Sequence, residues 1–187
     1  MRDMWLMPLP TPEAHVQTRY QAFAAYNRWA NHRLYDAAGS LPDADYRADR
    51  GAFFKSVHGT LNHLLAADRI WMKRFTGTGD APSRLDAILH DNFADLRRAR
   101  EAEDARIVRY IGGLAEQEFN GLIRYRTISN PADIEQPLAP ALDHFFNHQT
   151  HHRGQVHCLL TGLVGNAGAP GLDLIMFQRE SGLGERK

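Results

Sequence analysis

Five of the ten histidines in this chain fall between residues 144 and 157, in the string Asp143-His144-Phe145-Phe146-Asn147-His148-Gln149-Thr150-His151-His152-Arg153-Gly154-Gln155-Val156-His157. On a helix turning about 100° per residue, His148 and His152 sit one turn apart and about 40° apart in direction, so both imidazoles reach one ion. Two neutral nitrogens at this chelate spacing suit a divalent metal. A third ligand has to come from a neighbouring helix, because further residues along the same one move away from the ion. His63 is the candidate, a polar residue set into the apolar stripe of Val57, Leu61, Leu64, Leu65, Ile70 and Trp71. The competing reading of His63 is a core histidine that donates to a backbone carbonyl.

The remaining histidines separate by angle. His144 is about 80° from His152 and two turns away, which makes it a core or supporting residue. His151, about 60° from His148 and three residues along, rivals His152 for the second place on this helix. His15, His32, His58, His90 and His157 read as surface or packing residues. Gln155, on nearly the same face as His152, and Asn27 are the candidates for positioning a substrate, with Asn31 and Trp71 as further pocket candidates. Arg153 reads as half of an ion pair with Asp68 as a candidate partner, and Gly154 as a point of close helix approach. No general base stands at fixed helical spacing from the ligands.

Four helices are needed to bring these residues together. The first is expected over about 12–38, with Thr11 as N-cap, Pro12 in the first turn and Gly39 closing a three- and four-residue pattern that includes Tyr20, Asn27 and Leu34. Residues 40–51 read as a connection. A second helix is expected over about 53–75, ended by Gly77. A third is expected over about 91–111, broken by Gly112-Gly113, with Leu96, Ile107 and Ile111 inward and the charged run Arg97–Arg106 in water. After an extended stretch near Leu122–Thr127, a fourth is expected over about 138–163 and stopped by Gly165. A short C-terminal element closes the chain at about 172–180. This is an all-α four-helix bundle with a long cross-connection between the third and fourth helices, in one domain over residues 1–187.

Lysine plus arginine and aspartate plus glutamate both number 22, and no basic run interleaved with aromatics occurs, which argues against nucleic acid as a partner. The lone cysteine, Cys158, has no internal disulfide partner, and the N-terminus lacks the zones of a signal peptide. The apolar stretch Met4–Pro10 is too short and proline-broken to span a bilayer and is expected to pack on the bundle or on a partner subunit. A cytoplasmic protein without membrane association is expected.

Three segments together resemble the bacterial DinB family of the DinB/YfiT superfamily: Asn147-His148-Gln149-Thr150-His151-His152-Arg153-Gly154-Gln155, Gly59-Thr60-Leu61-Asn62-His63-Leu64-Leu65-Ala66-Ala67-Asp68, and Tyr26-Asn27-Arg28-Trp29-Ala30-Asn31. The likeness covers roughly residues 15 to 165, and its most specific part is His-His-Arg-Gly-Gln. It implies a four-helix bundle, often a homodimer, with a divalent ion held by one histidine of the second helix and two of the fourth, here His63, His148 and His152. In related mycothiol-dependent enzymes a ligand, three residues and then His-Arg recur, which places the second ligand at His152 rather than His151. Histidine stands here where some relatives carry glutamate.

The first expectation for function is a metal-dependent enzyme acting on a small molecule. The resemblance suggests a thiol transferase with a low-molecular-weight thiol as co-substrate, or a hydrolase. Three neutral ligands leave coordination positions open, as catalytic sites do, and imidazole suits zinc or nickel. The second expectation is a non-catalytic metal- or ligand-binding protein of stress response.

Overall fold

The computed structural model describes residues 12–182. The expected stretch Met4–Pro10 and the cap at Thr11 lie outside the described residues. Four long helices dominate: α1 (Pro12–Gly39), α3 (Val57–Thr76), α4 (Phe93–Gly113) and α5 (Leu138–Gly168), with short helices α2 (Asp43–Arg47) and α6 (Leu174–Glu180). α1 packs against α4 and α5, and α3 packs against the same two helices, so α1 and α3 occupy opposite corners of the bundle.

Local signals set the helix ends. Ser56 caps α3 by accepting from the Gly59 amide, and Gly77, with φ of 71°, turns the chain out of it. Asn92 caps α4 by accepting from the amides of Ala94 and Asp95. The second long helix therefore starts at Val57 rather than at Phe53, whose ring is 84% exposed. Lys55, at φ of 68°, is in the left-handed region immediately before the cap and breaks helical continuity there. The stretch expected to be mere connection after α1 contains α2. The Gly112-Gly113 pair remains within α4, which ends at Leu114. α5 begins after Pro137 and loses helical geometry at Gly165, where φ is 72°.

Between α4 and α5 the chain forms a 3-10 turn (Glu116–Asn120) and then an antiparallel hairpin of β1 (Leu122–Arg126) and β2 (Asp133–Pro137), with Tyr125 opposite Ile134. The extended character of the first strand was legible; its partner was not.

Two large apolar clusters fill the bundle, one around Tyr20, Trp71, Ile107, Leu142 and Phe145, the other around Leu34, Leu61, Leu65, Leu96 and Leu160. A polar layer separates them. Arg100 of α4 donates to Asp68 of α3 at 2.6 Å and pairs with Asp104 at 2.9 Å. Asp104 in turn accepts from Asn27 and Asn31 of α1 at 3.2 and 2.9 Å, and Arg153 of α5 donates to Asn27. The run Arg97–Arg106 is thus only in part a solvated face: Arg98 and Glu101 are exposed, but Arg100, Glu103 and Asp104 are buried, because they fall on the inward stripe of Leu96, Ile107 and Ile111. Burial pushes the Asp68 carboxyl up, and the Arg100 guanidinium opposes that shift.

Candidate metal centre

α3 and α5 cross so that His63, His148 and His152 converge, with ligand nitrogens all within 4.8 Å of one another. His63 Nε2 and His152 Nε2 are 3.1 Å apart. Each of these rings has its other nitrogen engaged by an oxygen that can only accept. His63 Nδ1 donates to the Leu85 carbonyl at 2.7 Å, and His152 Nδ1 donates to Gln155 Oε1 at 2.7 Å. Those partners fix both tautomers, so two Nε2 lone pairs face each other with no proton between them.

Protonation is a poor remedy for that repulsion. Burial lowers His63 to about 4, with the Leu85 carbonyl opposing the shift, and it lowers His148 to about 3, with the neighbouring imidazoles adding to the effect. His152 is lowered by burial as well. A cation at the meeting point removes the conflict. Two nitrogens bound tetrahedrally at about 2.0 Å from a zinc ion stand about 3.3 Å apart, close to the separation seen. The donor set therefore fits a divalent ion of borderline softness.

The surroundings explain why these rings hold their places. Asn62 accepts from the amides of Leu89 and His90 at 2.8 and 3.0 Å and donates to the His90 carbonyl at 3.2 Å, pinning to α3 the loop that carries Leu85. The Phe54 ring stacks on His63, centroids 3.7 Å apart and planes 15° apart, and meets His152 edge-on at 5.6 Å. It covers one side of the cluster. The other side opens, past His148 and the exposed His144, into a cleft of about 380 Å³ that also reaches Trp71, Arg74 and the hairpin turn. A larger cavity, about 940 Å³, runs along a different face of α5 past Phe146 and Cys158, and none of the three histidines lines it.

The other sequence-based candidates separate cleanly. His151 is exposed and its Nε2 faces the Gln155 amide nitrogen at 3.3 Å, so His152 joins the cluster and His151 does not. Gln155 bridges those two rings and thereby orients His152. Asn27 has no exposed surface and its amide is held on both sides by Asp104 and Arg153, which removes it as a substrate-positioning residue. Asn31 likewise belongs to the polar layer. Trp71 does line the cleft, with its ring 5.1 Å from that of His144. Arg153 forms no ion pair with Asp68; it takes Asn27, Thr150 and the face of Tyr26. Among the described residues nothing stands within 4 Å of where a Cβ on Gly154 would lie, so the close helix approach expected there is not seen. Phe54, Asn62 and the Leu85 carbonyl were missed, and only Asn62, a buried-stripe amide one residue before His63, carried a signal.

No solved structure matches the chain. Protein DinB of Bacillus subtilis (strain 168) is 29% identical, over 83% of this chain and 93% of that protein. The model of the DinB family matches residues 15–172, and the chain belongs to that family.

Proposed function

We propose that this protein is a metal-dependent enzyme acting on a small molecule, either a transferase that uses a low-molecular-weight thiol or a hydrolase. The carrying observation is the pair of bare imidazole nitrogens of His63 and His152, 3.1 Å apart, with His148 beside them. His63, His148 and His152 would hold the ion, zinc or nickel being the best suited to an all-imidazole set. An ion held by three neutral ligands supplies Lewis acidity and brings a thiol or water that reaches it toward deprotonation near neutral pH. The protein contributes the rest. Leu85 and Gln155 fix the two tautomers, Phe54 excludes water from one side, and the cleft beside His148 admits the reactant.

A homodimer in the cytoplasm completes the reading, the first supported by the family likeness. Among the described residues no helix is long and apolar enough to cross a membrane, and the balanced charge offers nothing to nucleic acid.

A second reading, a non-catalytic metal- or ligand-binding protein of stress response, is favoured by one observation. Among the described residues the cluster contains no carboxylate, and the nearby buried acids Asp68 and Asp104 are engaged by Arg100. Metal analysis of untagged protein tests the site: near-stoichiometric metal is expected in the native chain and little in His63→Ala, His148→Ala or His152→Ala. Full metal in all three variants overturns the centre. Turnover of a chromogenic electrophile with glutathione, bacillithiol or mycothiol, or of ester substrates, by the metal-loaded protein supports the enzyme. Rates no higher than those of the metal-free protein across the panel select the binding role.

A further inference from the structure

We infer that the cleft beside His148 takes small molecules bearing a carboxylate, and that Arg74 is the residue that binds it. The choice of which end of the ligand reacts rests on the metal reading above; the anion site itself does not.

The Arg74 guanidinium lies against two aromatic rings, 4.5 Å from the centre of Trp71 and 4.4 Å from that of Tyr125. Such faces hold a planar cation at one orientation while leaving its edge free to donate. Its hydrogen bond to protein is a long one, 3.4 Å to the Arg126 carbonyl, so most of its five N–H donors are uncommitted. Among the described residues it has no ion pair, although it is half-buried and burial pulls its pKa below the usual arginine range. The hairpin beside it carries two acids, but Glu135 is taken by Arg124 and Asp133 by Arg126. A partly desolvated, unpaired guanidinium in a cleft is unfavourable alone and is relieved by a bidentate anion.

The same cleft is lined by His144, whose ring is 5.1 Å from that of Trp71, and by His148, whose ring is 5.8 Å from that of His144. Arg74 follows His63 by eleven residues on α3, about 16 Å of helix rise. Its contact with Trp71, three residues earlier, shows the side chain leaning back toward the cluster, which leaves a gap of about 10 Å. A ligand with its reactive group and its carboxylate at opposite ends of a short chain spans that gap. Thr127 and Asn130 of the hairpin turn also line the cleft.

Cobalt(II)-loaded protein provides a readout independent of turnover, because thiolate ligation to cobalt gives a near-ultraviolet charge-transfer band. The probes are a mercaptohexanoate with thiol and carboxylate at opposite ends and the matching mercaptohexanol. The acid is expected to bind about tenfold to a hundredfold more tightly than the alcohol. Arg74→Met is expected to abolish that preference without changing cobalt uptake, while Lys73→Met, on the exposed neighbour, leaves it intact. Equal affinities in the native protein, or a preference that survives Arg74→Met, overturn the proposal. If the native protein takes up no cobalt, the metal reading fails instead. Adipate binding to the metal-free protein, followed by calorimetry, then decides: binding lost in Arg74→Met retains the anion site, and no binding overturns it.

Discussion

Two imidazoles that each donate one proton to an oxygen turn their other nitrogens on the same point, and the neighbours that accept those protons decide how well an ion is held. Gln155 has no contact with the meeting point except through His152. Replacing it with leucine is expected to free the His152 ring and weaken zinc binding about 10- to 100-fold in competition with a chromophoric chelator, without unfolding the chain. Acid should act on the same atoms. His63 and His148, lowered from 6.5 to about 4 and about 3, stay neutral in the folded metal-free protein over a range where the unfolded chain takes up protons. Stability of the metal-free form therefore rises with pH between about 4 and 6.5 and is lost on acidification through that window. Denaturant titrations at several pH values check this, and a flat profile would contradict the buried neutral rings. The spacing of His148 and His152 made them legible in the sequence, since helical geometry alone puts them on one face. The choice between His151 and His152 was not a matter of spacing. It follows from the phase of α5 in the bundle: His152 lies on its buried stripe with Phe145, Gln149 and Val156, and His151 lies on the exposed side.

The segment ahead of α3 shows how an element can be hidden from pattern reading. Phe53 and Phe54 extend the apolar run of the helix and invite its extension backward, yet Lys55 at φ of 68° and the Ser56 cap separate them from it. The gain is position. The Phe54 carbonyl packs so closely on Gly59 that a Cβ there would stand 2.1 Å from it, and the ring of Phe54 then lies on His63. Gly59→Ala is expected to push this segment away, destabilising the protein by about 1–3 kcal/mol. It should also raise the exchange rate of the bound metal, because the covered side of the cluster opens. Thermal melts and a metal-transfer assay read the two effects separately; an unchanged melting temperature would show that the close approach is not enforced. Helix existence was legible because the stripes are long, whereas β2 was not, since Asp133–Pro137 has one large apolar residue and is held by pairing with β1.

Across the molecule, a charged and amide-rich layer divides two apolar clusters, and it joins α1, α3, α4 and α5 at the level where α5 carries its ligands. Arg100 and Asp68 are almost wholly buried, at 2% and 0% exposure, so removing Arg100 leaves Asp68 without an ion-pair partner, and removing Asp68 leaves Arg100 with Asp104 alone. Asp68→Ala is expected to cost about 3–5 kcal/mol, and the double change Asp68→Leu with Arg100→Met distinctly less than the sum of the single changes. Equilibrium unfolding of the four proteins of that cycle checks it; strict additivity would show that the pair acts independently. The part of the layer that α4 supplies was misread as a wet surface, within the run Arg97–Arg106, because charge was weighed above phase. Asp68, Arg100 and Asp104 each occupy stripe positions of their helices, and on a bundle the angle of a residue about the axis outranks its chemistry in setting where it lies. The hairpin between α4 and α5 leans on this framework by one face: its strands pair with each other, Ile123 and Tyr125 pack against the first apolar cluster, Leu122, Arg124 and Arg126 are exposed, and its turn borders the cleft that His148 also lines. On the proposed reading, changes of length or sequence at residues 127–130 would reshape the mouth of the cleft while Arg74 and the three histidines, all carried by the long helices, keep their places.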